Sequence, residues 1–191
     1  MEICIFGASS DKLDPVFFEE ARALGLELAR SGHTLVYGGG STGLMDACAQ
    51  GIRSGGGRAV GIAPRYFDEG DFLCRDFGEL IYTETMAERK ALMLERSDAF
   101  IVLPGGTGTM DEFFEALTLR QLGRLRGRIV LLNTAGYYEP LRALLRYMVD
   151  RGFTSMSALE LLSFCDSPAA AVACAAQSAP EQARGLSDYG K

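Results

Sequence analysis

Six short, largely apolar runs, at residues 3–6, 34–37, 58–62, 80–83, 99–103 and 129–132, alternate with longer segments of helical period at 15–30, 44–53, 86–96 and 110–122. Runs of four or five apolar residues suit strands buried on both faces, and a period near 3.6 marks amphipathic helices. Parallel strands need a crossover connection, and a helical crossover covers one face of the sheet. The expected fold is therefore α/β, with a mainly parallel sheet flanked by helices. Ligands of such sheets bind beyond the carboxyl ends of the strands, where strand order reverses. The loop carrying Ser9 and Ser10 and the turn that begins at Pro104 are expected to meet there.

A chain of 191 residues has room for one ordinary core, expected over 1–178, with 179–191 as a frayed tail. Hydrophobic residues make up 48% and charged residues 23%, the balance of a globular protein without membrane spans. A net charge of −6 argues against nucleic acid or an anionic membrane as partner, so a phosphorylated ligand has to be held by local groups. The start, Met1-Glu2-Ile3-Cys4-Ile5-Phe6, has no basic segment of a secretion signal, and the expected location is cytoplasmic. Five cysteines at wide spacings are expected to be reduced thiols. With His33 as the single histidine, neither a zinc cluster nor a Ser-His-acid triad is expected, and no metal is assigned.

The chemistry concentrates in three segments. Pro104-Gly105-Gly106-Thr107-Gly108-Thr109-Met110-Asp111-Glu112 follows a strand and opens a helix, a junction whose unpaired amides and helix dipole attract an anion, typically a phosphate. Glu112 stands one turn beyond; Glu112 and Glu115 share a helix face, expected to lie opposite Phe113, Phe114 and Leu117. Met86-Ala87-Glu88-Arg89-Lys90 starts another helix with two cations against the local dipole, which calls either for an anionic ligand or for ion pairs with Glu88 or nearby acids. Gly38-Gly39-Gly40-Ser41-Thr42-Gly43 formally matches a dinucleotide fingerprint, but it follows the second strand rather than the first, and no acidic residue closes the strand at 58–62. Its glycines are expected to permit tight turning and close helix approach. The aperiodic stretch 64–79 is expected to form a rim or lid.

These residues taken together, Tyr37-Gly38-Gly39-Gly40 with Gly43-Leu44-Met45, Met86-x-x-Arg89-Lys90, and Pro104-Gly105-Gly106-x-Gly108-Thr109-x-x-Glu112, resemble the LOG ("Lonely guy") family of cytokinin riboside 5′-monophosphate phosphoribohydrolases, many of them mislabelled lysine decarboxylases. Further matches are Ser97-Asp98-Ala99, Gln121-Leu122-Gly123, Leu132-Asn133, Gly136-Tyr137-Tyr138 and Gly152-Phe153, so the resemblance covers nearly all of 1–165. It implies a Rossmann-like three-layer subunit, working as a homodimer without cofactor, that cleaves the bond between base and ribose 5-phosphate of a nucleoside 5′-monophosphate. By the same resemblance Arg89 and Glu112 are the catalytic pair, Gly105, Gly106, Thr107, Gly108 and Thr109 hold the phosphate, and Lys90 and Thr118 line the nucleotide site. The chain departs from the family pattern at Asp46, Thr107 and Leu119, where glycine, tyrosine and tryptophan are usual.

A pyridoxal phosphate decarboxylase needs a Schiff-base lysine, and the only lysines are Lys12, Lys90 and Lys191, of which Lys90 sits inside a nucleotide motif. The alternative of a different class is a non-catalytic nucleotide or molybdenum-cofactor carrier on the same fold, which keeps the glycine cradle and needs no catalytic pair.

Overall fold

The strand at the centre of the protein is the first one. In the computed structural model, which describes residues 1–70, 73, 74 and 77–179 with the side chains of 69 and 70 left aside, β1 (Glu2–Phe6) lies between β2 (Thr34–Tyr37) and β5 (Ala99–Val102). β3 (Arg58–Pro64) and β4 (Glu79–Thr83) extend the sheet beyond β2, while β6 (Ile129–Leu132) and β7 (Leu162–Cys165) extend it beyond β5. All six pairings are parallel, in the order β4-β3-β2-β1-β5-β6-β7. Strand order thus reverses between β1 and β5, and the Rossmann-like α/β expectation is met. Of the tail expected at 179–191, residues 180–191 lie outside the described residues.

Side-chain alternation splits the sheet into two cores. Ile3, Ile5, Leu35, Tyr37 and Ile101 face the side covered by α1 (Pro15–Arg30), α2 (Gly43–Ser54) and α7 (Pro168–Ala175). Cys4, Phe6, Val36, Phe100 and Val102 face the side covered by α3 (Met86–Arg96), α4 (Thr107–Gln121) and α5 (Glu139–Asp150). A short helix, α6 (Met156–Leu159), precedes β7. The segments at β7 and α5–α7 lie beyond the elements expected from periodicity. Two boundaries differ by more than one residue. The strand expected at 58–62 runs on to Pro64, and α4 begins at Thr107 rather than at 110.

Candidate active site

The crevice at the β1/β5 switch point is a cleft of about 380 Å³, a size suited to a small ligand. Ser9 and Ser10 line it on one side, and Gly106, Thr107, Gly108 and Thr109 on the other. The two loops are bonded directly, Ala8 N to the Pro104 carbonyl at 3.1 Å, as their adjacency at the reversal of strand order requires. Phe67, from the turn Arg65–Gly70, forms part of the rim together with Met45 and Met86. Of the stretch expected as rim or lid, residues 71, 72, 75 and 76 lie outside the described residues.

Two glycine-rich helix N-termini point into this crevice, and only one is open. At α2 the amide of Gly43 donates to Asp11 Oδ1 at 2.8 Å and that of Leu44 to the Ala8 carbonyl at 2.8 Å. An internal carboxylate therefore already occupies the place an external anion would take, which physically supports setting the Gly38–Gly43 run aside as a dinucleotide site. At α4 the N-cap is Gly106, which brings no side-chain cap, and among the described residues nothing accepts from the amides of Thr107, Gly108 or Thr109. Because the helix starts at Thr107, its first turn holds no acidic residue, and Asp111 and Glu112 fall in the second turn. The positive end is left uncompensated. Gly106 and Gly108 also present open space where a Cβ would stand.

The three carbonyls behind this turn are all tied back. Tyr138 Oη donates to the Leu103 carbonyl at 2.6 Å, Ala8 N to Pro104 and Tyr137 Oη to the Gly105 carbonyl at 2.7 Å. Gly105 is buried, with the Thr109 side chain against its Cα, so it shapes the turn and does not line the cleft.

The floor of the cleft is an ion pair. Thr85 caps α3 by accepting from Glu88 N at 3.1 Å, and Glu88 accepts in return from Glu84 N at 2.9 Å, a capping arrangement that fixes where the helix begins. Arg89 then falls one turn in, on the face toward the sheet. Its Nη1 donates to Glu112 Oε1 at 2.9 Å and its Nε to the Ile62 carbonyl at 3.1 Å, with Arg89 5% and Glu112 8% exposed. The partner acids of Arg89 and Lys90, the two cations at the start of α3, come from α4 and not from Glu88: Lys90 Nζ lies 2.8 Å from Asp111 Oδ2 and 2.7 Å from Glu115 Oε2.

Glu112 is not on a polar face opposite Phe113 and Leu117. It belongs to the buried stripe Thr109, Glu112, Phe113, Ala116, Leu117, Arg120, whose spacing is that of one helix face. Burial pushes its carboxyl above the ordinary glutamate value, and the Arg89 guanidinium opposes that shift. One glycine of the 38–43 run serves this pair. A Cβ at Gly38 would overlap the Arg89 guanidinium, so the residue is glycine to give the cation its seat.

Seven of the nine expected residues, Arg89, Lys90, Gly106, Thr107, Gly108, Thr109 and Glu112, line the one cleft. Thr118 does not. It lines an adjoining groove of about 410 Å³ with Phe114, Glu115 and Leu119, joined to the cleft through Lys90 and Asp111. Asp11, Asn133, Tyr137 and Tyr138 have no assigned part in the sequence reading. The signal that could find the last three is an aromatic pair with hydroxyls placed directly after a buried strand.

A family model described as "Possible lysine decarboxylase" matches residues 45–174. Cytokinin riboside 5′-monophosphate phosphoribohydrolase of Mycobacterium tuberculosis is 44% identical over 148 residues, which span 78% of this chain and 79% of that protein. Cytokinin riboside 5′-monophosphate phosphoribohydrolase LOG7 of Arabidopsis thaliana is 40% identical over 160 residues, 84% of this chain and 74% of that one. Among solved structures, the Moco carrier protein of Chlamydomonas reinhardtii superposes with a TM-score of 0.68 at 23% identity, covering 90% of this chain and 93% of that one, a likeness of fold alone.

Proposed function

Because this chain belongs to the LOG phosphoribohydrolase family, whose general model carries the lysine decarboxylase description, we propose that it is a hydrolase that cleaves the N-glycosidic bond of adenosine 5′-monophosphate or its N6-substituted forms. Water adds at C1′ as the bond from C1′ to the base nitrogen breaks, giving free base and ribose 5-phosphate. The observation that carries this reading is a buried carboxylate, Glu112, at the floor of a cleft whose wall is the open N-terminus of α4.

In this reading the amides of Gly106, Thr107, Gly108 and Thr109 hold the 5′-phosphate, with the Gly105 carbonyl fixed behind them. The sugar then lies over Glu112, which stabilises the oxocarbenium-like transition state and orients the attacking water. Arg89, at the cleft floor, holds Glu112 in place and favours its ionised form, its remaining nitrogen Nη2 seated against Gly38. Lys90 contributes at the cleft wall as a cation already balanced by Asp111 and Glu115.

Among the described residues neither lysine fits a pyridoxal phosphate decarboxylase. A Schiff-base lysine needs a depressed pKa, and Asp111 first, then Glu115, hold the Lys90 ammonium above its ordinary value, while Lys12 is exposed. A carrier on the same fold has use for the amide cradle but none for a buried carboxylate beneath it, which favours the hydrolase.

The reading includes a homodimer and a cytoplasmic location. What supports the dimer is the groove beside Thr118, where Phe114 and Leu119 stay partly uncovered, while Phe113 and Leu117 are buried in the core. Sedimentation equilibrium tests it. Incubation with adenosine 5′-monophosphate and with its N6-isopentenyl form, followed by chromatography of the bases, tests the activity. Release of base from neither would refute it.

A further inference from the structure

We infer that Tyr137 is a positioning residue for the phosphate cradle, acting as a latch that aims the Gly106 amide into the cleft. This rests on the proposed function for the identity of the anion. A trans peptide is planar, with its carbonyl and amide pointing opposite ways, so fixing the carbonyl of one residue fixes the N–H of the next. Tyr137 Oη, bonded at 2.7 Å to the Gly105 carbonyl, therefore sets the direction of the Gly106 N–H, the first amide on the cleft side. The backbone contact from Ala8 does the same for the Gly105 N–H.

The latch is itself built with care. Asn133, 6% exposed, accepts from Tyr138 N at 2.8 Å and donates to Glu139 Oε1 at 2.9 Å, pinning the turn that delivers both tyrosines. That turn holds Ala135 at φ 52, the one non-glycine residue with positive φ among the described residues. Strained backbone of this kind persists where surrounding contacts enforce it, and here it carries the chain back under the Pro104 turn. The Tyr137 ring is braced edge-on by Phe17 and Tyr138, with centroids 6.1 and 5.1 Å away. Yet the residue is 43% exposed, so its hydroxyl adds little to the core. A side chain so placed fits a role in aiming a backbone group better than one in holding the fold.

The test is Tyr137→Phe, which removes the hydroxyl and keeps both ring contacts, with Tyr147→Phe, on an exposed tyrosine of α5, as the matched control. Ribose 5-phosphate is titrated calorimetrically, hydrolysis of adenosine 5′-monophosphate is followed, and melting is recorded. Loss of one neutral hydrogen bond is expected to raise Kd and KM about three- to ten-fold, with kcat within about two-fold and an unmoved Tm. An unchanged Kd, or a weaker Kd accompanied by a matching fall in Tm, overturns the latch. Wild-type protein that binds ribose 5-phosphate but hydrolyses nothing refutes the function and leaves the latch to be judged by Kd. Active wild type with an equally tight Tyr137→Phe variant refutes the latch alone.

Discussion

The Arg89 guanidinium rests on the Cα of Gly38, so closely that no side chain fits between them. This contact joins two motifs 51 residues apart and accounts for the glycine at position 38. It holds Arg89 from above while the Ile62 carbonyl and Glu112 hold it from the side.

Gly38→Ala is expected to push Arg89 off Glu112. Displacement near 1 Å at such a centre costs about 100-fold in rate, and overpacking costs about 1–3 kcal/mol of stability. Steady-state kinetics and urea unfolding measure the two. A variant with wild-type kcat/KM would show that the seat is idle.

Glu112→Gln keeps shape and removes charge. If the carboxylate handles the attacking water, kcat falls by about 10²–10⁴-fold, while ribose 5-phosphate, held by α4, binds as before. Calorimetry beside the turnover assay separates hydrolase from carrier. Undiminished turnover in the Gln variant would remove Glu112 from the mechanism.

The strands from β1 to β6 and the helices α1 to α4 are readable from the chain because each buries a stripe whose period matches its element, as Ile3, Ile5 and Cys4, Phe6 do in β1. β7 escapes because Leu-Ser-Phe-Cys, at the sheet edge, is not an apolar run, and α7 because Ala169–Ala171 and Ala173 give no contrast between faces. The start of α4 is misplaced since Thr-Gly-Thr has weak helix propensity, and what sets the boundary is tertiary: the tied carbonyls of Leu103, Pro104 and Gly105. In the site, the glycine turn that opens α4 with unpaired amides is local and therefore legible. The Arg89–Glu112 pair depends on two helices lying on one sheet face and enters only through the family resemblance. Asp11 as the cap of α2 crosses 32 residues and leaves no local mark.

Gly108→Ala is expected to separate stability from function. A Cβ there meets no neighbour, and alanine in place of helical glycine adds up to about 1 kcal/mol. The same methyl enters the space proposed for the phosphate, and a ten-fold loss of ribose 5-phosphate affinity, about 1.4 kcal/mol, is expected. A stabilised variant with unweakened binding would move the anion elsewhere.

The pH dependence follows from the opposing forces on Glu112. Burial, the larger cause, raises its pKa, and Arg89 lowers it. In the proposed mechanism the active form is the ionised carboxylate, so kcat/KM is expected to be full above the folded-state pKa and lost as pH falls through it, at a pH above the ordinary glutamate range. Arg89→Met removes the main lowering influence and leaves burial opposed only by Lys90, so the acid limb moves toward neutral pH. Arg89→Lys, which restores a positive charge, moves it part of the way back. The comparison needs only relative rates across pH for each variant, which the weak turnover of the Met protein still permits. An acid limb that stays in place when the guanidinium is gone would mean that some other group governs it, and Glu112 would lose its role as the base.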